Sequence, residues 1–106
     1  MTEPTRVFLY AEFQVSVPFE ERVWRDVNPV IQAVPGFRSK TWLSGIGNHS
    51  VGGFYEFDSV ANARAYAEGM LSDAARRLGG TLTVKIFNGD VVAEASKGMR
   101  SPFFAG

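Results

Sequence analysis

The sequence predicts an α+β fold, a four-stranded antiparallel sheet with two helices on one face in the order βαββαβ. Three observations carry the prediction. Period-two alternation or short apolar runs occur four times, over 6–17, 37–44, 50–57 and 81–87. Two longer stretches, 18–34 and 58–79, repeat their apolar residues at helical spacing. These helical stretches follow the first and third strands, so two strand–helix–strand units stand in tandem, the ferredoxin-like arrangement.

In the first strand, Val7, Leu9, Ala11, Phe13 and Val15 share a purely apolar face, while Phe8, Tyr10, Glu12 and Gln14 share a mixed one. The first helix is expected to begin at Pro18, whose fixed φ suits the first helical position. Its stripe is Phe19, Val23, Val27, Val30, Ile31 and Val34, and Glu20 and Glu21 suit the positive end. Pro29 removes an internal hydrogen bond, so a kink and a short second piece are expected there. Strict alternation in the second strand puts Arg38, Lys40 and Trp42 on one face and Phe37, Ser39, Thr41 and Leu43 on the other. "GIGN" is a turn, and the third strand returns as a hairpin. There Val51, Gly53, Tyr55 and Phe57 oppose Gly52, Phe54 and Glu56; a carboxylate fits badly beneath helices, which places Tyr55 under them. The Gly52-Gly53 pair is read as permitting close approach of a helix to the sheet.

The second helix can be capped by Asp58 or Ser59 and stopped by Gly79, with Arg76 and Arg77 near its negative end. Leu82, Val84 and Ile86 alternate with polar residues and Phe87 in the fourth strand. Asn88-Gly89 turns the chain, and the alanines of "DVVAEASKG" favour a short helix. One domain over 1–106 is expected, with a frayed lead-in at 1–5 and a tail at 96–106.

Eleven basic residues balance eleven acidic ones, which argues against nucleic acid or an anionic membrane as the main partner. No apolar run approaches the length of a membrane span. The polar start "MTEPTRV" does not read as a signal peptide, and a cytoplasmic location is expected. The absence of cysteine excludes disulfides, thiol catalysis and thiolate metal sites, and one histidine cannot build a histidine-rich one. "GIGNHSVG" lacks dinucleotide-loop spacing and leads into a strand; no phosphate-binding loop and no nucleophile elbow occur.

Two helices cover one sheet face. The other, carrying Phe8, Tyr10, Trp42 and Phe87 on this reading, presents roughly 300–400 Å². Monomers seldom expose so large an apolar patch, so a second copy, sheet against sheet, is the expected cover.

The ordered series Pro35-Gly36-Phe37, Lys40 with Trp42, Asn48-His49, Gly52-Gly53 with Tyr55 and Phe57, and Ala63 with Tyr66 resembles the YdhR-type monooxygenase family. Pro18-Phe19 and "VKIF" at 84–87 also fit, so the likeness runs from the first helix to the fourth strand. That family belongs to the dimeric α/β-barrel superfamily, alongside antibiotic-biosynthesis monooxygenases. The resemblance implies a homodimer, a monooxygenase activity and a Trp42 that faces the pocket. Haem-degrading relatives carry a histidine on the second helix; "ARAYAEGMLSDAARR" has none, so any oxidation is expected to be cofactor-independent.

The candidate bases are His49 and Glu12. An imidazole titrates near neutrality, but a histidine beside a turn also serves by bonding to backbone, and His49 is read first in that sense. Glu12, partly desolvated in a central strand, could have a raised pKa. The candidate substrate-binding residues are Tyr10, Lys40, Trp42 and Phe8. An indole stacks on a flat ring and an ammonium attracts a phenolate. Equally, Trp42 could pack in the dimer seam, and Lys40 could pair with Glu12 or Glu56. The expected partner is a small aromatic or polyketide-like ligand. A cyclase or isomerase on the same scaffold, and a non-catalytic ligand-binding or stress-response dimer, are the alternatives.

Overall fold

The computed structural model describes residues 3–14 and 21–104, apart from the side chains of residues 21–23 and 78. The expected helix start at Pro18-Phe19 and the strand residues beyond Gln14 lie outside the described residues. The elements are β1 (Val7–Gln14), α1 (Glu21–Gln32), β2 (Phe37–Ser44), β3 (Ser50–Phe57), α2 (Val60–Tyr66), a π-helical turn (Ala67–Leu71), α3 (Ser72–Leu78), β4 (Thr81–Asn88), α4 (Ala93–Gly98) and a 3₁₀ turn (Pro102–Phe104). The sheet is antiparallel in the order β2-β3-β1-β4, which is the ferredoxin-like order predicted.

β1 lies centrally, and its inward face is as read from the sequence: Val7, Leu9, Ala11 and Phe13 are buried with Val51, Tyr55 and Phe57 of β3. Ile31 of α1 and Ala63 and Tyr66 of α2 close this core from above. Burying such side chains contributes about 1.5–3 kcal/mol each, which is what holds one layer of short helices on a sheet of this size. Ser59 caps α2 by accepting from the Asn62 N–H at 3.1 Å. Gly79 stops α3 in the left-handed region, φ 67°, with its N–H on the Ala75 carbonyl.

Four features depart from the sequence reading. The first lies in β2. Phe37 pairs with Phe57, but the next paired residue is Ser39 opposite Glu56, then Lys40 opposite Tyr55 and Trp42 opposite Gly53. The extra residue is a β-bulge at Arg38–Ser39, which breaks period-two alternation. Arg38 therefore stays on the outer face, bonded to Glu56 at 3.1 Å, while Lys40 and Trp42 join Phe37 on the helix side. The placement of Trp42 on the outer face with Phe8 and Tyr10 is thus corrected.

The second is the long helix over the sheet. At Ala67–Leu71 it widens into a π turn, and both the N–H and the hydroxyl of Ser72 bond to the Ala67 carbonyl. Gly69, a weak helix former, stands in the middle of that turn. The third is Pro29, which α1 carries inside it while running on to Gln32 as one element.

The fourth is the C-terminal segment. It folds across the outer face, where Phe103 and Phe104 meet the Phe8 ring at 5.8 and 5.9 Å and Phe103 meets Phe54 at 5.1 Å. Phe8 is left only 7 % exposed. Arg6 holds the segment, its guanidinium 4.5 Å over the Phe104 ring and donating to the Phe103 carbonyl. Thr5 and Arg6 donate their N–H groups to the Asp90 carboxylate at 2.7 and 3.0 Å. These bonds, led by that from the Thr5 N–H, hold the Asp90 carboxyl below its ordinary pKa. Part of the outer face is therefore roofed by the chain itself.

Candidate active site

Between the sheet and its helices lies a cavity of about 630 Å³, inside the range of pockets that enclose small organic ligands. β2 supplies Lys40 and Trp42 to it, β3 Tyr55, α2 Tyr66, α1 Val27 and Ile31, and the π turn Met70 and Leu71. The bulge explains why a lysine points into this space: it turns β2 over after Arg38, so that Lys40 falls on the side of Tyr55.

The Lys40 Nζ lies 3.2 Å from the centre of the Trp42 ring and 4.7 Å from that of Tyr55. No carboxylate among the described residues pairs with it. Glu56 is taken by Arg38 and Glu12 accepts from Tyr10 and Ser50, so the ion pairs expected for Lys40 with either acid are not formed. Burial brings the Lys40 ammonium down from 10.5 to about 7. The indole face works in the opposite sense, since a ring's negative π face attracts a cation. Trp42 is itself anchored, donating Nε1–H to Asn28 Oδ1 of α1 at 2.9 Å.

Below them, the hydroxyls of Tyr55 and Tyr66 share a hydrogen bond of 2.9 Å. Burial raises both phenols, Tyr66 to about 12, so both remain protonated at neutral pH. Asp73 and Arg77 stand at the cavity rim on α3, with Asp73 bonded to Arg76.

The other sequence candidates are elsewhere. His49 is exposed in the β2–β3 turn and lines none of the cavities described. Nor does it fix the turn; Asn48 does, its Oδ1 accepting from the Ser50 N–H at 2.8 Å. Glu12 and Tyr10 lie on the outer face in a small hollow of about 180 Å³. The Tyr10 hydroxyl donates to Glu12 at 2.5 Å, and Ser50 to its other oxygen at 3.0 Å. Tyr10 and then Ser50 hold the Glu12 carboxyl below its ordinary pKa, the reverse of the raised value a base there would have. The same bond raises Tyr10. Phe8 is beneath the C-terminal segment. Lys40 and Trp42 are thus brought together, and the joint site of His49 with Trp42 is not assembled within the chain. Glycine also plays another part than expected: a Cβ on Gly53 would lie 2.5 Å from Lys40 Cε, and one on Gly52 1.9 Å from the Ala11 carbonyl oxygen of β1. The pair makes room for Lys40 and for β1, not for a helix.

Asn28 and Tyr66 escaped the sequence reading as site residues. Tyr66 had a legible signal, a hydroxyl set in a stripe of Ala, Met and Leu, where a buried polar group needs a partner.

The family model described as "Putative mono-oxygenase ydhR" matches residues 8–102. The chain belongs to the YdhR family. No curated protein matches it. Solved structures that share the fold include SnoaB, a cofactor-independent oxygenase of Streptomyces nogalater, in its N63A form: 23% identity, 78% of this chain and 91% of that one, TM-score 0.60. The monooxygenase of the ActVA-Orf6 gene of Streptomyces coelicolor, in complex with nanaomycin D, gives 19% identity, 80% and 87% coverage and a TM-score of 0.54. A putative antibiotic biosynthesis monooxygenase of Deinococcus radiodurans gives 12%, 76% and 89%, and 0.56. In this YdhR-family chain, no described helix is long and apolar enough to cross a membrane. Among its described residues no group of three His, Cys, Asp or Glu side chains is placed to hold a metal ion.

Proposed function

We propose that the protein is a cofactor-independent monooxygenase acting on a small hydroxylated aromatic or polyketide-like molecule in the Lys40–Trp42 cavity. The observation that carries this reading is a lysine without a carboxylate partner among the described residues, set on an indole inside an apolar space of about 630 Å³. The flat substrate stacks on Trp42. The neutral Lys40 amine takes a phenolic proton, and the resulting ammonium holds the phenolate. The electron-rich ring carbon reduces dioxygen and forms a C–O bond to it. Loss of water from the hydroperoxide leaves a carbonyl on the ring, so one oxygen atom enters the product and the other leaves as water. The chain supplies the base, the orientation and a space that excludes water.

Oxygen uptake by metal-stripped protein against a panel of hydroxylated naphthalenes and anthracenes tests this. Lys40→Met is expected to lose roughly 100-fold or more in turnover, the scale of a general base, while His49→Ala retains it. Turnover without oxygen consumption would replace the reading by a cyclase or isomerase; loss in His49→Ala with activity kept in Lys40→Met would return the base to His49.

We further infer a homodimer through the outer sheet face. The family resemblance implies a dimer, and Phe87, 47 % exposed beside the C-terminal roof, and Ile46, 97 % exposed at the β2–β3 turn, are apolar groups that a second copy would cover. Light scattering at micromolar concentration is expected to give twice the mass of the 11.6 kDa chain; a single-chain mass would refute the dimer.

A further inference from the structure

The Lys40 cavity has a chemistry that oxygenation does not use. An amine reacts with a carbonyl only when it is unprotonated, reachable and not held by an acid, and desolvated lysines meet those conditions. Lys40 stands in an accessible cavity, has no carboxylate partner among the described residues, and lies against the faces of Trp42 and Tyr55, which can align a flat ligand beside it. The sequence contains two other lysines, Lys85 and Lys97; both are exposed, and Lys97 pairs with Glu94 at 3.3 Å. Among the described residues, the titratable and charged groups that line the cavity beside Lys40 are Tyr55 on β3, Tyr66 on α2, and Asp73 and Arg77 on α3. The described residues that α1 and β1 add to it, Val27, Val30, Ile31 and Phe13, are apolar.

We infer that Lys40 is a covalent capture site for flat aromatic aldehydes and ketones, which it binds as an imine. The Nζ lone pair attacks the carbonyl carbon, a C–N bond forms, and the carbonyl π electrons move to oxygen, which takes up a proton. The carbinolamine then loses its oxygen as water together with the nitrogen-bound proton, leaving C=N. The ring stacks on Trp42, and the hydroxyl pair of Tyr55 and Tyr66 lines the same space. The inference rests on the cavity and the amine, and not on any reaction with oxygen.

The test is reductive trapping under nitrogen with 2-naphthaldehyde and sodium cyanoborohydride, which delivers hydride to the iminium carbon and fixes it as a secondary amine. Peptide mapping then gives the label at each lysine and at the N-terminus. At pH 7 Lys40 is expected to carry at least tenfold more naphthylmethyl group than Lys85 or Lys97, and at pH 10 the excess is expected to shrink as the exposed amines lose their protons. Lys40→Arg keeps the cation and is expected to leave only the weak background at the other amines. Trp42→Leu, which leaves the amine in place, is expected to lower Lys40 labelling several-fold. Labelling of Lys40 at or below the level of Lys85 at pH 7 would overturn the inference. Trapping without oxygen uptake would sink the proposed oxygenase and leave the capture site standing; uptake without trapping would do the reverse.

Discussion

The indole N–H of Trp42 on β2 donates to Asn28 Oδ1 on α1 at 2.9 Å, tying the ring beneath Lys40 to the helix above it. The bond spans the cavity wall, so it fixes the stacking surface relative to the amine. Asn28→Ala is expected to cost about 1 kcal/mol of stability, the usual net value of a hydrogen bond. It should weaken aromatic ligand binding several-fold by removing this tether between the ring and α1. Urea denaturation and fluorescence titration with 2-naphthol measure the two effects; unchanged affinity would show that α1 does not set the ring.

Lys40 should make stability depend on pH in a particular window. Its pKa falls from 10.5 to about 7 on folding. Between those values the unfolded chain binds more protons than the folded one, so stability rises with pH from 7 to 10.5. Below pH 7 the penalty is fully present. Lys40→Met removes the slope and is expected to be the more stable protein at pH 7, by a few kcal/mol at most. Denaturation midpoints of both proteins from pH 6 to 10 check it; parallel curves would mean that Lys40 is not desolvated.

The two adjacent glycines should separate folding from function. A Cβ at Gly52 meets β1 backbone at 1.9 Å and can be relieved only by moving a strand, so Gly52→Ala is expected to cost about 3 kcal/mol or more. At Gly53 the obstacle is the flexible end of Lys40. Gly53→Ala should fold within about 1 kcal/mol of the native protein but displace the amine, lowering turnover at least tenfold. Equal loss of stability in both variants would contradict this division.

The buried tyrosine pair should behave as a unit. Removing one hydroxyl, in Tyr55→Phe or Tyr66→Phe, leaves the other without its 2.9 Å partner. Each single change is expected to cost about 1–3 kcal/mol and the double change less than their sum, since paired apolar replacement leaves nothing unsatisfied. In an absorbance titration of the native protein, Tyr66 should ionise only near pH 12 and Tyr55 later still. Additive destabilisation would show that the hydroxyls do not interact.

The sheet order, the inward face of β1 and the placement of Tyr55 under the helices were legible because local alternation reports burial directly. The facing of Lys40 and Trp42 was not. Nothing in "FRSKTWLS" marks an extra residue, and a bulge depends on how β2 meets β3. The C-terminal roof was likewise hidden: Phe103 and Phe104 read as an exposed tail until Phe8 and Phe54 are known to lie opposite them. His49 is the sole histidine, yet rarity of a residue type says nothing about where its side chain is carried. The reactivity of Lys40 is not written in its spacing, because a lysine's chemistry is set by its surroundings.

The bulge at Arg38–Ser39 has a consequence for how such a protein can change. In a pleated strand, the parity of the residue count decides which side each later group faces. Deleting either residue would close the bulge and leave Lys40 and Trp42 facing the helices with Phe37, whereas pairing both in regular alternation would swap Lys40, Trp42 and their neighbours between the two surfaces. An amine and an indole would leave the interior together, and Thr41 and Leu43 would enter in their place. The irregular pairing of this short segment, more than the identity of any residue in it, therefore decides whether the molecule has reactive contents at all.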